Sequence, residues 1–370
     1  MSQSFQEDCA DLARRAIERG TVSRRGALQA LGAMGLLPVA GGAARAQAAK
    51  ELVICNWGGL ANEGFSRNYG APFEAANPGI KVGMNSTGPS AGRIKSMVDS
   101  RAVTWDLCDS SASSSRVLGK DNLVSKIDYN VVKKSDAISE AFTLEYGAAP
   151  YSFSSVLAYD SAKFPNGGPQ NWADFFDTRK FPGTRLLRRD ALAVLDAAQM
   201  ALGKDPAKLY PLDGRACLAK IKEIRRNAVF WNSGSESEQF MRTGEAVMGI
   251  IWHTRAKVLE DESKGRIKFT WNQGLLQAGI FVIPRGNPGG ADAQRLLASM
   301  LANPEPQVEL LKLLGNGPTN PRAAALVPQE FKRFNPTDPA NAAQQVTLDG
   351  NWWGDNYTEL NQEMVDIITG

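Results

Sequence analysis

Glu51-Leu52-Val53-Ile54-Cys55-Asn56-Trp57-Gly58-Gly59 decides the fold class. Six residues with strong β character end in a Trp and two glycines, and a helical pattern follows from Asn62 to Ala76. Asn77-Pro78-Gly79 stops that helix. The unit then repeats. Ile80–Asn85 reads as a strand ending in Ser86-Thr87-Gly88-Pro89-Ser90, and Gly92–Arg101 as a helix. Trp105–Cys108 reads as a third strand, ending in Asp109 and the run Ser110-Ser111-Ala112-Ser113-Ser114-Ser115 before another helix. Strand–loop–helix repetition predicts an α/β protein with a parallel sheet under helices. Ligands of such sheets bind beyond the carboxyl ends of the strands.

Further along, Ala148–Tyr159 is a β-prone run long enough to pass between two lobes. Asn171-Trp172-Ala173-Asp174 opens a second set of elements. Strands are expected at Thr184–Arg188, Val229–Asn232, Ala246–Trp252, Phe269–Trp271 and Gly279–Ile283. Helices are expected at Asp190–Leu202, Leu218–Arg226, Glu236–Thr243, Arg255–Glu262 and Ala291–Leu314, the last interrupted at Pro304–Pro306.

In front of this body, residues 1–48 have the layout of an export signal: a polar start, Ser23-Arg24-Arg25-Gly26-Ala27-Leu28, an apolar Gly/Ala-rich stretch, and Ala44-Arg45-Ala46-Gln47-Ala48 as a cleavage region near Ala46–Ala48. The paired arginines resemble a twin-arginine signal, with Ala27 where that pattern usually has Phe. No later apolar stretch reaches the ~20 residues of a membrane span. The expected location is the periplasm.

The chain has 370 residues, enough for about two domains. Its 42 Lys+Arg against 39 Asp+Glu leave no basic surface for nucleic acid, since six of the arginines lie in residues 1–48. A single histidine, His253, excludes multi-His zinc sites, and no metal or cofactor is expected. Cys9 leaves with the leader. Cys55 and Cys108 lie in apolar strand runs and are expected as buried free thiols, and Cys217 completes an odd number in the body.

The order of segments resembles the extracellular solute-binding proteins of ABC importers, of the spermidine/putrescine-binding type. The resemblance is carried by Trp57-Gly58-Gly59, Ala149-Pro150-Tyr151-Ser152, Asn171-Trp172-Ala173-Asp174 and Trp231-Asn232-Ser233. Gly244-Glu245-Ala246-Val247-Met248-Gly249 ahead of Trp252, Ile283-Pro284 and Gly315-Asn316-Gly317-Pro318-Thr319-Asn320 complete it. It implies a two-lobed periplasmic binding protein fold of type II. Its discontinuous lobes, 50–155 plus 280–325 and 156–279 plus 326–370, would be joined by crossover strands. It also implies a ligand held in the cleft and handed to permease subunits. The sequence carries no oligomerisation signal, so a monomer is expected.

Family members that bind polyamines surround the alkyl chain with aromatic faces and place carboxylates at the ammonium ends. Trp57, Tyr151, Trp231 and Trp252 are the aromatic candidates here. The acids do not carry over. Gln277 and Gly279 stand at the family's aromatic and acid before Ile283-Pro284, and Gly234 stands at the acid after Trp231-Asn232-Ser233. Glu236 is a possible substitute, and it also fits a helix cap. Arg188-Arg189-Asp190 replaces two frequent acids, and His253-Thr254-Arg255 follows Trp252. Arg189 and Arg255 are therefore candidates for a carboxylate. Ser86, Ser110, Ser111 and Ser233 are hydroxyl candidates at loop and helix starts. The expectation is a small polar solute of amino-acid, 4-aminobutyrate or polyamine type, with selectivity moved away from diamines. Two other classes fit the fold. A thiaminase-like secreted enzyme would use Cys55, and a ferric-ion-binding relative would use neighbouring tyrosines, of which the chain has no adjacent pair.

Overall fold

The computed structural model describes residues 50–370. The export-signal reading of residues 1–48 lies outside the described residues. Three parallel strands open the sheet: β1 (Lys50–Cys55), β2 (Ile80–Asn85) and β3 (Leu107–Ser110). Between them run α1 (Gly59–Phe65) and α2 (Ala71–Ala76), joined by a π-helical turn, and α3 (Ala91–Asp99). Then come α4 (Ala112–Lys120), the short β4 (Thr143–Leu144) and the 14-residue β5 (Gly147–Asp160).

The second half contains α5 (Trp172–Phe176), β6 (Arg185–Arg188), α6 (Val194–Ala201), α7 (Gly214–Ile224), β7 (Ala228–Trp231), α8 (Gly234–Thr243), β8 (Met248–Trp252) and α9 (His253–Glu262). The chain returns through β9 (Ile267–Val282) to α10 (Ala291–Ala302) and α11 (Pro304–Leu314). It ends with the single turns α12 (Gln329–Lys332) and α13 (Pro339–Ala342), β10 (Gln345–Thr347) and the long α14 (Gly350–Thr369).

The sheet order is β2-β1-β3-β9-β5-β8-β6-β7. It is mixed, not wholly parallel. β9 runs antiparallel to β3, and β5 runs antiparallel to both β9 and β8. Each half keeps parallel strands of its own, and the two long antiparallel strands pass through both. The stretches expected as separate strands at Phe269–Trp271 and Gly279–Ile283 are one 16-residue strand. Asn272-Gln273-Gly274 reads as a turn in sequence. Here Gln273 takes φ of 58° and the pairing continues past it, shifted in register between Ser155 and Leu157.

Hydrophobic clusters follow the two halves. Leu52, Ile54 and Leu107 pack with Phe65, Tyr69, Leu296, Leu297 and Leu310 on one face of β1–β3. Cys55, Cys108, Ile280 and Val282 pack with Ile94 and Leu118 on the other. The second half is built on Trp172, Phe175, Val194, Ile221 and Trp353, with Trp231, Ile251 and Leu259 on the opposite face. Strand residues bury both faces because helices cover both. Helix α14 touches both halves. Its Trp353 and Met364 enter the second core, while Gly350 and Gly354 lie against Ala112 and Arg116 of α4. Among the described residues, no helix is long and apolar enough to cross a membrane.

Candidate functional site

The carboxyl ends of β6, β7 and β8 bring three expected regions together. Trp231 closes β7, is fully buried, and donates its indole N–H to the Ile250 carbonyl at 3.0 Å. Trp252 closes β8 and meets Trp231 edge to face, centroids 5.1 Å apart. Its indole N–H is buried without a partner. The guanidinium carbon of Arg188, the last residue of β6, lies 5.7 Å from the Trp231 ring and 5.4 Å from the Trp252 ring. Such stacking holds a guanidinium in place and leaves its N–H edge for an anion. Its carboxylate partner is Asp190, at 3.4 Å. Arg189 is exposed, and its backbone N–H bonds the Trp231 carbonyl.

From Trp252 the aromatic surface continues over the crossing strands. Phe153 of β5 lies 6.0 Å from Trp252, and Tyr151 lies 6.3 Å from Phe153. Gln277, paired with Phe153, is buried and donates to the Ser155 hydroxyl at 3.0 Å. Tyr151 pairs with Gly279. A Cβ at Gly279 would sit 2.1 Å from the Tyr151 ring, so the ring occupies the space an acidic side chain would need. Gly234 is similar, because a Cβ there would lie 2.6 Å from the Arg255 Nε. Both positions without the family's acid are therefore closed by a neighbouring side chain.

Tyr151 donates its hydroxyl to Asp109 at 2.7 Å. Asp109 sits near the end of β3 and is only 3% exposed. Burial pushes its carboxyl up to about 7, against the lowering pull of the Tyr151 hydroxyl and the Trp57 indole. Trp57 itself is 59% exposed, just past β1. Asn56, the residue after the Cys55–Cys108 pair of β1 and β3, is buried with its Nδ2 unpartnered. Ser86 is exposed next to Gly58, so the loops after β1 and β2 converge.

The remaining candidates have local partners. Ser233 and Glu236 form a capping box on α8. The Glu236 carboxylate accepts from the backbone N–H groups of Asn232 and Ser233, which hold its pKa below the usual range. Ser111 caps α4 by accepting from Ser114 N–H at 3.1 Å, and Ser115 bonds the Ala112 carbonyl. Ser110 closes β3 opposite Ile280. Arg255 donates to Glu238 at 3.0 Å, and its Nε has no partner. A cavity of about 710 Å³ between α4, β9 and the start of α14 is lined by Ser111, Phe153, Leu192 and Gln277 among others, and so borders the aromatic surface at Phe153.

His253 is fully buried at the start of α9. Its Nδ1 accepts from Ser154 N–H at 3.0 Å, so Nε2 carries the proton toward the Gly315 carbonyl at 2.8 Å. Burial holds its pKa down to about 4. Cys55 and Cys108 are free and buried side by side on β1 and β3.

Two groups of parallel strands, each ending at a cleft and joined by long antiparallel crossing strands, define the two-lobed fold of periplasmic binding proteins. The chain belongs to the family of bacterial extracellular solute-binding proteins, whose model matches residues 68–343. It is the substrate-binding component of an ABC transporter for a small solute. The chain is 28% identical over 326 residues to the gamma-aminobutyric acid-binding protein of Pseudomonas aeruginosa, covering 86% of this chain and 92% of that one. The solved Atu4243 GABA receptor matches with TM-score 0.78 and 26% identity over 86% of this chain and 98% of its own. The binding protein AgtB of A. tumefaciens R10, solved with agropinic acid, matches with TM-score 0.75 and 32% identity over 87% of this chain and 99% of its own.

Proposed function

We propose that this chain captures a small organic solute bearing a carboxylate in the periplasm and presents it to its permease as a monomer, without chemistry. One observation carries the ligand class. The Arg188 guanidinium is stacked on the Trp231–Trp252 pair where β6, β7 and β8 end; Asp190 engages one of its nitrogens at 3.4 Å, and its five donors leave others for a ligand carboxylate. The GABA-binding relatives fit this reading, since 4-aminobutyrate carries a carboxylate and putrescine does not. In this reading the halves 50–155 plus 280–325 and 156–279 plus 326–370 hinge about β5 and β9. A non-enzymatic role is supported by Cys55, which is enclosed in an apolar cluster beside Cys108. His253 supports it too, since both ring nitrogens are committed to backbone groups.

Calorimetric titration of 4-aminobutyrate into the mature protein and into Arg188→Ala tests the reading. Loss of a charge-assisted bond of about 2–3 kcal/mol predicts affinity weakened by roughly 30–150-fold. Unchanged affinity in Arg188→Ala removes the carboxylate assignment.

A further inference from the structure

We infer that the ligand of this cleft is a carboxylate solute extended by a polyhydroxylated chain, and that the cavity of about 710 Å³ between α4, β9 and the start of α14 holds that chain. The inference rests on the carboxylate reading of Arg188 and names the rest of the ligand.

The cavity is too large for a four-carbon solute alone. Pockets of ~300–1,000 Å³ enclose ligands well above amino-acid size. It also lies at a distance from Arg188. The guanidinium carbon is 5.4 Å from the Trp252 ring centre, Trp252 is 6.0 Å from Phe153, and Phe153 lines the cavity. A solute with its carboxylate on Arg188 reaches the cavity only past both rings, so it is longer than 4-aminobutyrate.

Two polar groups of the wall set the chemistry. Gln277 is only 6% exposed. Its Nε2 donates to the Ser155 hydroxyl at 3.0 Å and to the Leu275 carbonyl at 3.5 Å. That fixes the amide and leaves Oε1 as an acceptor without a partner among the described residues. Ser113, at the start of α4, is 4% exposed and shares a 3.0 Å hydrogen bond with Ser111, whose oxygen also accepts from the Ser114 N–H. The bond between the two hydroxyls uses one of their two protons, so one O–H is left to donate. An open acceptor and an open donor in one cavity match hydroxyl groups, which give a proton to one and accept one from the other. A carboxylate cannot donate, and an ammonium cannot accept.

The charged residues of the lining do not compete for this role. Asp355 holds Arg116 and Lys120, Lys126 holds Glu145, and Asp349 caps α14. Lys134 and Glu140 are exposed. Phe153, Leu192 and Leu348 supply apolar surface for the carbon side of the chain.

The test uses two probes that differ only in hydroxyls, N-(1-deoxyglucityl)-4-aminobutyrate and N-hexyl-4-aminobutyrate, with 4-aminobutyrate as reference. Each is titrated calorimetrically into wild type, Gln277→Leu and Leu192→Phe. Wild type should favour the glucityl probe over the hexyl probe by roughly tenfold or more, because a hexyl chain leaves the Gln277 oxygen and the serine O–H dry and unpaired. In Gln277→Leu that preference should collapse. Should Gln277→Leu fail to fold, Leu192→Phe puts bulk into the cavity without removing a hydrogen bond, and should weaken the glucityl probe by roughly tenfold relative to 4-aminobutyrate.

A wild type that binds both extended probes equally overturns the inference, as does a Gln277→Leu variant that keeps the preference or a Leu192→Phe variant that binds the glucityl probe as wild type does. The Arg188 reading then still stands if Arg188→Ala weakens both probes alike. A wild type that binds 4-aminobutyrate and neither extended probe also overturns the inference alone. A wild type that binds none of the three overturns both.

Discussion

Arg188 closes β6 with its guanidinium lying on two indoles, and Arg189, one residue on, is exposed. The difference is strand parity. Successive side chains leave opposite faces, so only one of two adjacent arginines can point at Trp231 and Trp252. Arg189→Ala should therefore leave the affinity for 4-aminobutyrate within about twofold, where Arg188→Ala loses it, in the same titration. Glu236 makes a second contrast. Its carboxylate serves the α8 cap, so Glu236→Ala should lower stability by roughly 0.5–2 kcal/mol in urea unfolding and spare binding. Sequence showed Ser233 three residues before Glu236, the spacing of a capping box, and the aromatics at strand ends. It did not show the Tyr151–Asp109 contact, because the two residues are 42 apart in the chain and only the fold brings the Tyr151 hydroxyl onto that carboxylate.

At the scale of elements, α9 is tied to the crossing strand β5 and to the loop after α11 through His253. The imidazole is neutral in the fold, with a pKa near 4 against an ordinary value of 6.5. The unfolded chain binds the proton more readily, so this contribution is present above pH 6.5 and lost as pH falls toward 4. Asp109 and Asp196, raised to about 7 and about 6, act with the opposite sign, since their burial costs most once they ionise. The His253 contribution therefore has to be read as a difference. Wild type should exceed His253→Gln in unfolding free energy at pH 7.5, and that margin should shrink steadily between pH 6.5 and 4. A margin that does not vary with pH would mean the proton plays no part. Helix α14 packs α4 through glycine. A Cβ at Gly350 would sit 2.4 Å from the Ala112 Cβ, so Gly350→Val should cost roughly 1–3 kcal/mol by forcing the helices apart, measured by denaturant unfolding. Most element positions were legible from turn residues and apolar runs. β9 was not, because Asn272-Gln273-Gly274 carries turn chemistry inside a strand whose pairing with β5 and β10 holds it together.

For the whole molecule, the order of short segments told more than any one of them. It carried the two-lobed architecture, while the antiparallel passage of β5 and β9 through both halves is a matter of long-range pairing that local pattern does not encode. The account's central claim is that the Arg188 guanidinium, stacked on two indoles, selects a ligand that carries a carboxylate over a diamine. The most direct measurement is a pair of calorimetric titrations of the mature protein, with 4-aminobutyrate and with putrescine, which share a four-carbon chain and differ at one terminus. The account predicts saturable one-to-one binding of 4-aminobutyrate and none of putrescine at the same concentrations. Tight binding of putrescine without 4-aminobutyrate would contradict it, because Arg188 would then face a second ammonium.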